Sequence, residues 1–358
     1  MSNLPKGWEK VFLKEVVQDM HQGINTVTEN IEYYDNGIDI LQAKHITSGY
    51  IDLSDPKKVS IEDYNKYKAK YQPQINHILL TNIGTIGKVL IVEENIDFLI
   101  AWNIFLIKSN QLKINPHFLF YVLKKYDIDK FYDKFLTGNA TKFINKKFMG
   151  DIEIPLPPLE EQKKIADILS TVDKKIAFVE ENINVTEELK KGLMQKLLTE
   201  GIGHTEFKDS ELGRIPQGWE LKTLGELVFI LTDYTANGSF ASLKENVTYF
   251  NEPNFAALVR TTDLKKKEFK PERFTDKRGY EFLKKSALYG GEILMANVGS
   301  IGEVYIVPEV DFPMTLAPNM YLIKYNDNLI NTYAYYFMNS SIFINQLLSK
   351  IASTTLQA

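Results

Sequence analysis

The chain contains no cysteine, which excludes disulfides and thiolate metal sites as sources of stability or chemistry. Its five histidines (His21, His45, His77, His117 and His204) do not fall at metal-ligand spacing. No stretch is long and apolar enough to cross a bilayer. The start, MSNLPKGWEK, lacks the apolar core of a secretory signal, so a cytoplasmic location without membrane attachment is expected. Positive charge is not in excess either. Against 42 Lys and Arg stand 46 Asp and Glu, a formal net charge of −4, whereas indiscriminate nucleic-acid affinity rests on many cations facing phosphates. Any contact with a polyanion must therefore be local.

The distribution of charge leaves room for that. Residues 1–150 carry 19 basic and 17 acidic side chains, residues 151–203 carry 7 and 11, and residues 204–358 carry 16 and 18. The acidity sits largely in the middle. Within the last third, Arg260 to Arg278 holds eight basic against four acidic residues, a patch that suits a phosphate backbone or simply a solvated face. A chain of 358 residues, 44% hydrophobic and 12% aromatic, has enough apolar surface for two domains and a connector.

An internal repeat organises the sequence. Leu4-Pro5-Lys6-Gly7-Trp8-Glu9 returns as Ile215-Pro216-Gln217-Gly218-Trp219-Glu220, and Leu13, Glu15 and Val17 return as Leu224, Glu226 and Val228. Thr81-Asn82-Ile83-Gly84-Thr85-Ile86-Gly87-Lys88-Val89 returns as Ala296-Asn297-Val298-Gly299-Ser300-Ile301-Gly302-Glu303-Val304. The segment 101–108 returns as 317–324, and the aromatic-rich, helix-spaced segments after Pro116 and Thr332 complete the series. Duplication of one domain explains this order. Short strand candidates start at Ile38, His77, Lys88 and Ala101, then at Phe255, Glu292, Glu303 and Asn319. With helices between them, they predict an α+β class with mixed sheets. Trp8 and Trp219 read as packing anchors.

The connector has a different pattern. After the prolines of Ile154-PLPPLEEQ, Glu160 and Glu161 mark the first turn of a helix. Its apolar residues Ile165, Leu169, Val172, Ile176, Val179 and Ile183 step by four and three, the spacing of a coiled-coil seam, which resumes at Leu193 and Leu197 before Gly201 and Gly203. At 1.5 Å per residue this helix is about 60 Å long. A one-sided stripe calls for a partner helix or for a domain surface beneath it. The expected layout is residues 1–155, a spacer over 156–203, and residues 204–358.

No catalytic constellation assembles. Gly84-TIGK resembles part of a phosphate-binding loop, but only two residues separate Gly84 from Gly87, Val89 follows the lysine, and the repeat replaces Lys88 with Glu303. A turn between strands fits better. The adjacent pairs Glu93-Glu94 and Glu180-Glu181 do not make a metal-dependent nuclease, and neither an Asn-Pro-Pro-aromatic segment nor a Gly-rich methyl-donor loop is present.

The paired PxGW segments, the paired N-[IV]-G-[TS]-I-G turns, the PLPPLEEQKKIADIL helix start and the junction LLTEGIGHTEFKDSELGRIPQGWE together resemble the specificity (S) subunits of type I restriction-modification systems. The resemblance extends from Leu4 to the end. It implies two target-recognition domains, each reading half of a split double-stranded DNA target, and a non-catalytic subunit. Methyltransferase (M) subunits would modify adenine with S-adenosylmethionine, and restriction/translocase (R) subunits would cut, using ATP and Mg. The family's second spacer helix has no counterpart before residue 358, which fits either a naturally shortened subunit or a fragment; a shortened subunit would pair its exposed stripe with that of another copy in an antiparallel homodimer. The rival reading is a two-domain coiled-coil scaffold that binds proteins, which the acidic balance favours. An enzyme acting on nucleotides ranks behind both.

Base edges are read by Arg, Lys, Asn and Gln, with other cations on phosphates. The expected contacts are Gln42, Lys44, His45 and Thr47 at the first strand exit and Arg260, Thr261, Thr262, Lys265, Lys266 and Lys267 at the second, with Arg260 foremost. Asn82, Thr85, Asn297 and Ser300 on the glycine turns, and Asn139, Thr141 and Lys142 with Gly138 and Ser353 to Thr355, are further candidates. For each the alternative is an ordinary turn or solvent-exposed residue.

Overall fold

Side-chain alternation, capping residues and glycine turns divide the chain into short elements, and the computed structural model describes residues 4–135 and 143–350 of them. Two units emerge, Met1–Glu181 and Asn182–Ala358.

The first unit contains β1 (Glu9–Phe12), β2 (Val17–Gln22), β3 (Ile38–Leu41), β4 (Lys57–Val59), β5 (Ile78–Thr81), β6 (Val89–Ile91), β7 (Phe98–Ile100), β8 (Ile104–Ser109) and β9 (Glu153–Leu156). One antiparallel sheet has the order β2-β8-β5-β6 and another sheet the order β4-β3-β7, in which β3 and β7 are parallel. A separate pair joins β1 to β9. The helices are α1 (Leu13–Val16), α2 (Ile61–Tyr71), α3 (Pro116–Ile128), α4 (Lys146–Gly150) and the first part of α5 (Leu159–Glu200), whose remainder belongs to the second unit. Each start has a local cause. Ser60 accepts from the Asp63 amide at α2, and Asn115 and Asn145 do the same at α3 and α4.

The second unit contains β10 (Phe207–Ser210), β11 (Gly213–Pro216), β12 (Val228–Asp233), β13 (Ala256–Val259), β14 (Phe274–Thr275), β15 (Ala287–Leu288), β16 (Ile293–Ala296), β17 (Val304–Ile306), β18 (Met314–Leu316) and β19 (Met320–Tyr325). Its sheets run β12-β19-β16-β17 and β14-β13-β18-β15, with β13 and β18 parallel. The first repeats the order β2-β8-β5-β6 strand for strand. In the second, β14-β13-β18 repeats β4-β3-β7. Register irregularities recur at matching places, between Val17 and Asp19 and between Val228 and Ile230. The helices are α6 (Leu224–Leu227), α7 (Phe240–Asn246), α8 (Thr261–Leu264), α9 (Lys277–Phe282), α10 (Asn331–Met338) and α11 (Ser341–Lys350). Glu15 explains one conserved letter of the repeat: its carboxylate accepts from the Phe12 amide at 2.8 Å, as Glu226 accepts from the Thr223 amide at 2.6 Å. That bond, with the Thr223 hydroxyl, holds the Glu226 carboxyl below its usual range.

The cores follow the sheets. In the first unit Ile78, Leu80, Phe105 and Ile107 meet Leu119 and Leu123 of α3 and Met149 of α4. In the second, Ala257, Val259, Leu294, Met314, Leu316 and Leu322 form the largest cluster. Each of these side chains larger than alanine contributes about 1.5–3 kcal/mol by leaving water. Trp8 and Trp219 are only half-buried. Trp8 donates from Nε1 to Glu161 at 3.2 Å, and Trp219 meets the His204 ring edge-on.

The connector is one helix of 42 residues, about 63 Å at 1.5 Å per residue. Gln162 and Ala166 near its start and Leu198 near its end are buried. Between them Leu169, Val172, Ile176, Val179, Ile183, Leu193 and Leu197 are each 38–54% exposed. Ile165, expected in the same stripe, packs instead on the first unit's core. No helix among the described residues is long and apolar enough to cross a membrane.

Candidate functional site

The candidate residues lie where the parallel strands β3 and β13 end. In the second unit the chain leaves β13 at Arg260 and turns at once into α8, capped by Asp263, whose carboxylate accepts from the Arg260 amide at 3.1 Å. Asp263 has no exposed surface. A buried carboxylate needs a counter-charge, and Arg260 provides it through Nε at 3.1 Å and Nη2 at 2.7 Å. Nη2 also donates to Glu272 at 3.0 Å. Lys266 pairs with the same Glu272, and these two cations hold its carboxyl below the usual range. Arg260, the foremost candidate, is therefore largely committed to acids of its own unit.

Lys265 reaches Ser300 at 3.0 Å and Glu303 at 2.7 Å, tying the strand exit to the glycine turn. Burial pushes the Glu303 carboxyl up, yet Lys265, with the Tyr305 and Ser300 hydroxyls, outweighs it and the group stays below its usual range. Thr262 and Lys267 are exposed, and Thr261 is half-buried. Arg260, Thr261, Thr262 and the turn residue Val298 line one cavity of about 350 Å³. The structure thus brings together both groups of residues picked out in the second repeat.

The first unit uses the same plan with other side chains. His45 takes the place of Asp263: its Nδ1 accepts from the Gln42 amide at 2.8 Å, and its Nε2 faces Asp55 at 3.4 Å. Lys44 pairs with Asp55, and Thr47 donates to the Lys44 carbonyl at 3.0 Å. His45 is 1% exposed and Asn82 has no exposed surface. Neither side chain offers an atom to a base edge in this arrangement, which corrects their inclusion among direct contacts: one caps a turn and the other fastens it. The Asn82 side chain donates from Nδ2 to the Ile144 carbonyl at 3.4 Å, while its backbone carbonyl accepts from the Ile144 amide at 2.9 Å and its backbone N–H donates to the Asn103 carbonyl at 3.2 Å. The Asn297 backbone N–H donates likewise to the Asn319 carbonyl at 3.1 Å, so this backbone arrangement belongs to the shared frame. Gln42 and Thr47 stay half-buried, whereas Lys44 is exposed.

The glycine turns match in conformation. Gly84 and Gly299 have φ of 78° and 81°, and Gly87 and Gly302 have 87° and 84°, values that favour glycine. Thr85 is exposed and its carbonyl accepts from the Thr81 hydroxyl. Lys88 binds Asp127 at 2.7 Å, which leaves the phosphate-loop reading without its cation. Asn139, Thr141 and Lys142, with Gly138, Ser353, Thr354 and Thr355, lie outside the described residues.

Sequence reasoning missed one feature. Lys57 lies over the Tyr33 ring with Nζ 4.1 Å from its centroid, and Arg273 lies over Tyr249 with Cζ at 5.8 Å. The two pairs occupy equivalent places, Lys57 opening edge strand β4 and Arg273 immediately preceding edge strand β14, and each spans 24 residues of sequence. That repeated interval, alongside the repeated Tyr33-Tyr34 and Tyr249-Phe250, is the signal that was available.

The family model of the type I restriction modification DNA specificity domain matches residues 5–188. A Methanocaldococcus jannaschii protein assigned as the MjaX type I restriction enzyme specificity subunit is 36% identical over 234 residues, 63% of this chain and 53% of that protein. The MjaVIII specificity subunit of the same organism is 31% identical over 295 residues, 74% of this chain and 65% of that protein. The chain therefore spans about half to two thirds of the length of these curated relatives. Among solved structures, a chain from a study of complex assembly and conformational transition in the type I R-M system aligns over 100% of this chain and 84% of its own, with TM-score 0.53 and 18% identity. The type I restriction-modification S subunit from M. genitalium aligns over 98% of this chain and 82% of its own, with TM-score 0.53 and 15% identity. At those identities the likeness is one of fold.

Proposed function

The chain belongs to the family of type I restriction-modification DNA specificity domains, and from that premise we propose that it is a non-catalytic specificity subunit whose two units each read half of a split DNA target. In this reading residues 1–155 and 204–358 are the target-recognition domains, and the helix within 156–203 fixes the gap between half-sites. Methyltransferase subunits carrying S-adenosylmethionine modify an adenine in each half, and restriction/translocase subunits driven by ATP with Mg cut unmodified DNA.

One observation carries the proposal. The same two-sheet frame is built twice, yet equivalent strand exits present Gln42 and Lys44 in one unit and Arg260 and Thr262 in the other. A fixed frame with exchanged edge chemistry suits the reading of two different short sequences. The test is co-expression with the methyltransferase subunit of its own system, followed by mapping of methylated bases across a plasmid library. A split motif with a constant gap supports the reading. A wild-type complex that assembles and methylates without a split motif removes it.

The half-exposed stripe of α5 supports a helix as partner, and an antiparallel homodimer through Leu169, Val172, Ile176, Val179 and Ile183 would supply one. Light scattering that finds a monomer, unchanged by Ile176→Asp, removes the dimer.

A further inference from the structure

The cation over each tyrosine differs from the acid-paired cations of the site in what it is bound to. Arg260, Lys265, Lys266 and Lys44 all face carboxylates. Arg273 and Lys57 have no hydrogen bond or ion pair through their side chains among the described residues, only the ring beneath them. Both rings are fixed from behind. The Tyr249 hydroxyl meets that of the buried Tyr234 at 2.8 Å, and the Tyr33 hydroxyl donates to Thr26 at 3.0 Å. The backbone is fixed as well, since the Arg273 carbonyl accepts from the Leu258 amide at 2.9 Å. Arg273 and Tyr249 line the 350 Å³ cavity together with Arg260, Thr261, Val298 and Asn319.

The Arg273 guanidinium, with Cζ 5.8 Å from the Tyr249 centroid, is drawn to the ring face without spending its planar N–H donors on it. Paired donors at that spacing match the O6 and N7 acceptors of guanine in the major groove. An ammonium is a point charge, suited to a phosphate or a single acceptor. Resting on the DNA-reading role given above, we propose that Arg273 on Tyr249 is the guanine-reading residue of the second unit, and that Lys57 on Tyr33 is its counterpart in the first, holding a phosphate. The Arg260–Asp263–Glu272 network acts beside it as a positioning device that keeps the neighbouring carboxylates occupied, so that Arg273 remains available to DNA.

The experiment compares motifs methylated by the complex containing wild-type chain, Arg273→Gln, Arg273→Lys or Lys57→Gln on a randomised plasmid library. Arg273→Gln is expected to reduce discrimination for guanine at one position of one half-site by roughly 5- to 150-fold, the loss of one bidentate pair. Arg273→Lys retains the charge but not the discrimination. Lys57→Gln weakens modification evenly over all sequences and lowers the salt dependence of binding by about one phosphate contact. The other half-site serves as the folding control in each variant. A wild-type motif preserved in every position by Arg273→Gln overturns the inference while leaving bipartite reading intact, and a sequence-independent loss overturns it too by making Arg273 a phosphate contact. A wild-type complex that methylates without any split motif removes bipartite reading and this inference together.

Discussion

Leu13 to Gln22 and Leu224 to Asp233 follow one plan in two settings. Both begin with a single helical turn capped by a glutamate and continue into a strand with the same register irregularity. In the first unit, Leu13 has no exposed surface and Met20 is 3% exposed, covered by α4 and β9. Their counterparts Leu224 and Leu231 are 37% and 61% exposed. Local structure thus forms alike whether or not the described residues cover it, because caps and bulges are made by near neighbours. Burial depends on chain more than a hundred residues away.

The sharpest way to break this comparison is to truncate both positions. Met20→Ala should destabilise the first unit by about 2–5 kcal/mol, whereas Leu231→Ala should change the second by under about 1 kcal/mol. Hydrogen exchange resolved by peptide reads the two units separately, and equal losses would mean that Leu231 is covered in solution. Gly87→Ala should come next, at about 2 kcal/mol, since φ is positive and an added Cβ would meet the Tyr132 ring at 2.4 Å. Gly302→Ala meets only the flexible end of Leu347 at 2.7 Å and should cost less.

A smaller contrast depends on pH. His77 and Glu292 hold equivalent places before β5 and β16, and each accepts from the amide three residues back, Gln74 at 2.9 Å and Tyr289 at 3.0 Å. Burial, helped by Lys108, pushes the His77 imidazole down from 6.5 to about 4. The unfolded chain therefore binds the extra proton between these values. Its contribution is complete above about 6.5 and is lost as pH falls toward 4. Going from pH 7 to 5 should weaken the first unit by on the order of 1–2 kcal/mol through this residue. His77→Gln should flatten that part of the profile, and a profile unchanged by it would count against the assignment.

How far the sequence revealed this molecule depended on the range of the cause. The repeat, the glycine turns, the central strands and α5 were legible because their signals are local: PxGW, N-[IV]-G-[TS]-I-G, alternation, and steps of three and four. The pairing of β1 with β9 was not, for its partners lie some 140 residues apart. At the site, position 45 and position 263 do one capping job with an imidazole and a carboxylate, so a reading based on residue type sent His45 to the ligand when it faces inward. The pairing of Arg260 was hidden for a related reason: its charge was visible, but the buried Asp263 that holds it was not.

The length of α5 is also an angle. Each residue turns the chain by 100°, so adding one residue within the exposed middle would swing everything beyond it by more than a quarter turn. Seven residues return the stripe to within about 20° of its former direction. Changes in helix length that keep the stripe facing one way are therefore restricted to steps of about seven or eleven residues.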